Sequence, residues 1–474
     1  MRHIKEECGV FGVFSPTSIS MSSLAYFGLS SLQHRGQESC GVVINENDCF
    51  KSCKNTGLVN EVLTPQALQD LGNGDICIGH VRYCTTGGNH IQNAQPILIN
   101  RIAHSLALAH NGNIVNAYEL RKKLELEGSI FHSTNDTEVI AHLIIKNQLS
   151  SSSLQDALQK SAQSLNGAYS LVLMDHSQLI AMRDPHGFRP LCYGQTSRGE
   201  YIIASETSAL DAVEANFIRD ILPGEIVVFD KQGVHSIQTF CNQKPKTTCS
   251  FEYIYFARAD SSLDGQSIHL ARMRAGEFLA KTYPVEADIV IGVPDSGIDA
   301  AIGYARASNI PYGVGFIKNR YIARTFISPT QEERIEKLRL KLNPILPNIK
   351  GKKIILIDDS IVRGNTTKRL VKLLRGAGAK EIHMRVSSPP FLNPCFYGTD
   401  IDSKEYLIAC AHSVSQIEKL LGLDSLGYLT LEGMDYMLQT KGLQGYCSAC
   451  FTGNYPTPIP NNTKKNQFEN KEQK

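Results

Sequence analysis

The run Ile354-Ile-Leu-Ile-Asp-Asp-Ser-Ile-Val-Arg-Gly-Asn-Thr-Thr367 sets two adjacent carboxylates, Asp358 and Asp359, directly behind four apolar residues. Four such residues make a buried strand, and its carboxyl end is where an open α/β sheet binds ligands. Ser360, Gly364, Thr366 and Thr367 lead on into a helix start, where free backbone N–H groups and the dipole favour a phosphate. Carboxylates beside a phosphate loop fit a ribose phosphate. They accept from sugar hydroxyls, while Mg²⁺ offsets nearby pyrophosphate charge. An isolated Asp-Asp after a strand reads equally well as a solvated turn, and only the complete run favours chemistry.

Other residues join this one by type and spacing. Pro294-Asp295-Ser296-Gly297 ends an earlier apolar run. Lys318, Arg320, Arg324, Arg334, Lys337, Arg339 and Lys341 make a basic segment. Glu332, Glu333 and Glu336 suit a solvated charged helix over 331–341. The stretch 318–327 is expected to be a lid whose cations neutralise pyrophosphate and whose closure excludes water.

A second group lies near the start. Cys8 opens Cys-Gly-Val-Phe-Gly-Val-Phe14, and Gln33-His-Arg-Gly-Gln37 is a compact polar loop. Arg82 stands after a strand in Gly79–Gly87. His110-Asn-Gly-Asn113 reads as a tight turn, with the Asn111 amide and the Gly112 N–H able to face an oxyanion. Asn135-Asp-Thr-Glu138 puts a carboxylate at a helix start. Each alone has a plainer reading: a packed cysteine, a hairpin turn, a helix cap. Near the other end, Cys447-Ser-Ala-Cys450 is a C-x-x-C, compatible with redox, zinc or iron–sulfur chemistry. It does not open a βα unit, which weakens a thioredoxin-like reading. Cys49, Cys53 and Cys77 have metal-like spacing and are left as core or surface thiols.

Two patterns of elements must hold these groups. Up to about residue 235, short runs bounded by Gly, Asn and Ser read as strands: Gly9–Phe14, Gly41–Ile44, Ile76–His80, Leu106–His110, Ser170–Asp175, Tyr201–Ser205 and Glu225–Asp230. Asn116–Glu127 and Thr137–Lys146 read as helices, the latter capped by Asn135 or Asp136. Layered sheets covered by helices follow. Residues 236–250 are polar and mark a boundary. Beyond it strands alternate with helices. Ala287–Val293 precedes a helix to about Ser308, Tyr312–Phe316 is a further strand, Lys353–Asp358 precedes a helix over Thr366–Ala377, and Glu381–Ser387 follows. That alternation predicts a parallel, doubly wound sheet. Residues 411–445 are expected to be packing helices, and the polar tail from about Asn461 disordered.

The bulk numbers agree with an ordinary enzyme of two or three domains. There are 474 residues, 42% hydrophobic and 20% charged, with 48 Lys+Arg against 46 Asp+Glu. A formal charge of +2 gives no field for nucleic acid or membrane as main partner, so any anion site is local. No run reaches the roughly 18 apolar residues of a membrane helix. Thirteen cysteines, an odd count, without an apolar leader point to reduced thiols in a cytoplasmic protein.

Residues 354–367 closely resemble the phosphoribosyl pyrophosphate (PRPP) signature of type I phosphoribosyltransferases. The N-terminal motifs, in their order, resemble the glutaminase domain of the N-terminal nucleophile hydrolases. From residue 8 to about 455 the whole chain resembles the amidophosphoribosyltransferase family, in its iron–sulfur and propeptide-bearing subgroup. The resemblance implies a mixed α/β chain, its N-terminal part α+β. A four-layer αββα glutaminase domain over 8–235 and a linker over 236–250 would precede a parallel α/β phosphoribosyltransferase domain with C-terminal helices and cluster ligands over 251–455. Residues 1–7 would be a propeptide and 456–474 a disordered tail.

It implies Cys8 as nucleophile with its own α-amine as base, Asn111 and Gly112 at the oxyanion, Arg82 and Thr85 on the glutamine carboxylate, and Asp136 on its ammonium. On the PRPP side it implies Asp358, Asp359, Ser360, Arg363, Gly364, Thr366, Thr367, Lys318 and Arg324. Mg²⁺ would sit by Ser296, Asp358 and Asp359. Cys249, Cys395, Cys447 and Cys450 would hold one [4Fe–4S] cluster per subunit; spacing alone leaves zinc open. A homotetramer under purine-nucleotide feedback is implied too. Because Cys8 is not residue 2, loss of the initiator Met alone cannot free its amine. Cleavage after Glu7 is therefore expected, and Cys84, where relatives more often carry Ser or Pro, is read as structural. Three rivals differ. A hexosamine-forming amidotransferase would lack the 358–364 run. A PRPP-sensing regulator would be expected to lose the nucleophile or the lid. An iron–sulfur redox protein would need a flavin or electron-partner motif, and none is visible.

Overall fold

A computed structural model describes residues 8–83, 90–102, 105–319, 342–401, 403–439 and 445–459. Thr85, Cys84, Arg324, most of the basic segment, the heptapeptide 1–7 and the tail from 460 lie outside these residues.

The first half is two stacked antiparallel sheets. One has seven strands in the order Ala215–Asp220, Cys192–Thr196, Tyr201–Ala204, Gly9–Ile19, Gly74–Arg82, Ser39–Glu46, Cys49–Thr56. The other has six, in the order Gly233–Ile237, Ile226–Asp230, Leu179–Arg183, Gly167–Met174, Leu106–Ile114, Ile97–Ile99. Alternation along each strand sorts the side chains. Val10, Phe14, Ile76, Ile78, Ala107, Ala109 and Val172 fill the space between the sheets. Phe11, Val13 and Val42 face the helix Met21–Ser31 on one outside, and Leu108 and Leu171 face Asp136–Gln148 and Leu154–Ser164 on the other. The result is four layers, helix–sheet–sheet–helix. Each fully buried aliphatic side chain contributes about 1.5–3 kcal/mol, so the three seams are the main stabilising term.

The second half is a four-stranded parallel sheet ordered Ile289–Gly292, Lys353–Asp358, Glu381–Val386, Ser425–Tyr428. Ile355 and Ile357 face the helices Ile268–Thr282 and Gly297–Ser308, while Ile354 and Leu356 face Asn365–Gly376 and Val414–Leu421. The first helix pair crosses closely. A Cβ on Gly276 would stand 1.8 Å from the Ala300 carbonyl oxygen, and one on Gly303 2.0 Å from that of Met273.

Three local expectations change. His110–Asn113 is not a turn: it lies inside the strand Leu106–Ile114, with Gly112 at φ 140. Partners on Gly167–Met174 override the local Asn-Gly preference. Tyr312–Phe316 is not a strand of the sheet. Tyr312 makes one bridge to Val290, and Phe316–Lys318 pairs with Leu342–Pro344. Residues 411–445 are not all helical, since Ser425–Tyr428 supplies the fourth strand, four residues being too few for a readable period. At the boundary, the last strand of the second sheet runs to Ile237, and Thr247–Cys249 pairs in parallel with Gly445–Cys447. Among the described residues no helix is long and apolar enough to cross a membrane.

Candidate active sites

Cys8 immediately precedes the strand Gly9–Ile19 and is 4% exposed. Its Sγ donates to the Tyr83 carbonyl at 3.3 Å and accepts from the Tyr83 N–H at 3.4 Å. Cys8 extends the row of Val10 and Phe14; Arg82 extends that of Ile76 and Ile78; Asn111 extends that of Ala107 and Ala109. All three therefore belong to the inter-sheet space, at one end of it. His80, in the same row as Arg82, ties the sheets with a 3.0 Å contact from Nε2 to the His110 carbonyl, and burial pushes its pKa down to about 3. Both side-chain amide atoms of Asn111 are buried with no partner among the described residues. An unpaired buried polar group costs about 1–3 kcal/mol, a cost that a ligand bonded to that amide would offset. Gly112 allows the strands to close: a Cβ there would sit 2.2 Å from the Ala168 carbonyl oxygen.

Asp136 opens the helix capped by Asn135, whose side chain accepts from the Thr137 N–H. It is 3% exposed, accepts from the Ile114 N–H at 3.1 Å and lies 3.6 Å from His110 Nδ1. The neighbouring Glu138 instead clasps the loop before the helix, accepting from the N–H groups of His132 and Ser133.

In the second half Asp358 is the last residue of its strand, and Asp359 and Ser360 follow at the carboxyl end of the sheet. Ser296 Oγ donates to Asp359 at 2.6 Å, which joins the Pro294–Gly297 loop to the acid pair. Burial raises the Asp358 carboxyl well above the carboxylate range, and the neighbouring Asp359 raises it further. Lys318 pairs with Asp295 of the same loop. Gly364, at φ 75, caps the helix Asn365–Gly376, which carries Thr366 and the buried Thr367 in its first turn. The Arg363 guanidinium lies over the Tyr406 ring at 4.7 Å.

Cys249, Cys395, Cys447 and Cys450 line one cavity, walled otherwise chiefly by Phe188, Phe251, Phe391, Tyr397 and Tyr455. Burial raises the Cys447 and Cys450 thiols, and the other cysteines of the set raise them further. Among the described residues no group of three His, Cys, Asp or Glu side chains is gathered for a single metal ion.

The sequence reading missed a buried charge cluster between the halves. Arg35, which the sequence places in a polar loop, donates from Nε to the Cys8 carbonyl at 2.9 Å and from Nη1 to Glu206 at 2.6 Å. It also meets Glu252 twice, at 2.9 and 2.8 Å. Burial alone would raise Glu206, but His34 and Arg35 outweigh it and hold this carboxyl well below its usual range. The available signal was Glu252 itself. A carboxylate inside the aromatic run Phe251–Phe256 is buried and must be paired.

Known proteins share both halves. The glutamine amidotransferase domain family matches residues 81–212, and the phosphoribosyl transferase domain family matches 261–388. A relative from Archaeoglobus fulgidus named amidophosphoribosyltransferase is 46% identical over 454 residues, covering 96% of this chain and 98% of its own. The chain belongs to the amidophosphoribosyltransferase family. It is an enzyme with a glutamine amidotransferase domain followed by a phosphoribosyltransferase domain. A Bacillus subtilis family member of the same name is 45% identical, covering 98% of this chain and 97% of its own. The solved glutamine PRPP amidotransferase from that organism, complexed with ADP and GMP, superposes with a TM-score of 0.89 at 44% identity, over 96% of this chain and 99% of the other.

Proposed function

We propose that the chain hydrolyses glutamine at Cys8 and passes the ammonia internally to C1 of PRPP. The products are 5-phosphoribosylamine, glutamate and pyrophosphate, and the step is the first of de novo purine synthesis. The observation that carries this is the Asn111 amide, without a partner among the described residues, at the same inter-sheet row end as Cys8 and Arg82. The Cys8 sulfur attacks the amide carbon. Its α-amine, with an ordinary pKa near ~8, takes the thiol proton once Met1–Glu7 is removed. The Asn111 side-chain N–H and the Gly112 N–H meet the oxyanion. Arg82 and Thr85 bind the α-carboxylate and Asp136 the α-ammonium, and water then releases glutamate from the thioester.

On the other side, Asp358 and Asp359 accept from the ribose hydroxyls, and residues 360–367 wrap the 5′-phosphate at a helix start. Arg363, Lys318 and Arg324 add positive charge. The oxygens of Asp358, Asp359 and Ser296 fit Mg²⁺, a hard cation that would offset the charge of pyrophosphate. The four cysteines line the walls of one aromatic cavity, and four thiolates fit a [4Fe–4S] cluster. When bound it supplies four iron–thiolate bonds that staple the C-terminus to the domain boundary. We read the enzyme as a cytoplasmic homotetramer regulated by purine nucleotides, as the ADP and GMP on the B. subtilis relative suggest.

Cys8→Ala is expected to abolish glutamine-dependent phosphoribosylamine formation and keep the ammonia-dependent reaction; loss of both, or of neither, overturns the division of labour. Intact mass of active protein should begin at Cys8, and a Met1 start contradicts the propeptide. Anaerobic preparations should contain iron and sulfide that Cys447→Ser lacks, and zinc in their place would refute the cluster.

A further inference from the structure

The charge cluster between the halves has a chemical consequence for Cys8. Arg35 is 1% exposed and Glu252 and Glu206 are 0% exposed, so each charge depends on its partners. His34, Arg35, Arg189 and Glu206 come from the first half. Glu252 opens the turn Glu252–Phe256 of the second. Glu252 also accepts from Arg189 Nη1 at 3.2 Å, and Arg189 donates on to the Tyr397 carbonyl at 3.2 and 2.8 Å. Glu206 accepts from the Arg258 N–H at 3.0 Å and from Ser261 Oγ at 2.8 Å. Two guanidiniums of the first half thus meet on Glu252 of the second, and Arg35 also reaches Glu206 of its own half.

Within this cluster Arg35 touches the nucleophile residue. Its fork is planar, so the two bonds to Glu252 fix its plane, and that plane aims Nε at the Cys8 carbonyl. The carbonyl, the α-amine and the thiol share one α-carbon. Holding the first orients the other two. With Glu252 neutral, Arg35 would keep only the Glu206 carboxylate, which pulls from another side.

We propose that Glu252 of the phosphoribosyltransferase half is a positioning residue for glutamine hydrolysis, acting through Arg35 on Cys8, so that the nucleophile is aligned only when the halves are docked. This rests on Cys8 being the nucleophile. A displacement of ~1 Å at a reacting group costs about 10²-fold. In the full-length enzyme, Glu252→Gln should therefore lower kcat for glutamate release about 10- to 100-fold. The glutamine KM should stay within about 3-fold, because Arg82 and Asp136 are untouched, and the ammonia-dependent rate within about 2-fold. Alkylation of Cys8 by a glutamine-like diazoketone should slow in parallel. Glu252→Asp, which keeps the charge one methylene shorter, should recover part of the loss, and it decides the matter if Glu252→Gln does not fold. Unchanged glutamate release in the folded variant, or equal loss of both reactions with a lowered Tm, overturns the proposal. Cys8→Ala is run beside it. If that variant still releases glutamate, the reading of Cys8 falls and the proposal with it; if it is dead while the Glu252 variants match the parent, only the proposal falls.

Discussion

Cys8, Arg82, Asn111 and Asp136 are at most 4% exposed and stand on, or directly beside, the strands of a sandwich. The Pro294–Gly297 loop and residues 359–364 instead lie beyond the ends of parallel strands, with two like charges side by side. In the first site the ladder hydrogen bonds set positions, and the desolvation of Asn111 is already incurred before a substrate arrives. In the second, burial first and the neighbouring Asp359 second raise the Asp358 carboxyl, and a bound cation would favour the charged pair. One site is finished by folding and the other by its ligands. The two should therefore fail differently.

The largest effect is expected at Asn111. Asn111→Leu removes the amide at similar volume. Glutamine hydrolysis should fall about 10²- to 10³-fold, the usual cost of one oxyanion donor. Stability should hold or rise, because two unpaired polar atoms leave the core. Kinetics and a urea midpoint on the same preparation test both halves of this statement. A destabilised variant that still hydrolyses glutamine would mean that the amide is structural.

Next comes Asp359→Asn. It leaves the Ser296 contact possible but removes one charge from the pair. Phosphoribosyl transfer should drop about 10²-fold or more with either nitrogen source, since even the loss of an outer-shell metal partner costs 10–100-fold. Glutamate release should persist. Added Mg²⁺ should restore part of the rate, which would not happen in the first site. Equal loss of glutamine hydrolysis would erase the contrast.

The same contrast governs what the sequence disclosed. The second site is written in one stretch: an apolar strand, two acids and a hydroxyl-rich helix start, each within reach of local rules. Three of its strands were readable too, because Ile354–Ile357 alternates between two helical layers, whereas the four-residue strand Ser425–Tyr428 was too short to show a period. The first site is assembled from positions 8, 82, 111 and 136, and each has a common structural explanation when taken alone. Only their order, read as a family resemblance, joined them. Asn111-Gly112 was misread as a turn because its strand partners lie more than fifty residues away. Arg35 and Glu252 stayed without a role because their pairing spans 217 positions, which no local pattern encodes.

The smallest expected effect is on stability, and it sharpens the account of the first site. Burial holds His80 neutral down to about pH 3, against about 6.5 when unfolded. Below 6.5 the unfolded chain takes a proton that the native imidazole refuses. The sign follows: His80 makes the native state lose stability as pH falls from 6.5 toward 3, by up to about 1.4 kcal/mol per pH unit. Asp184 and Asp220, raised by burial to about 6, titrate in the opposite sense, because their native forms take protons first. A bare pH profile would mix these with every other shifted group. The difference between the parent and His80→Gln isolates one. Gln retains a donor for the His110 carbonyl and cannot titrate. The gap between their urea midpoints should be flat above pH 7 and shift steadily in favour of the variant from 6.5 to 4.5. A gap independent of pH would mean that the imidazole is protonated in place, and that the space between the sheets is wetter than its packing implies.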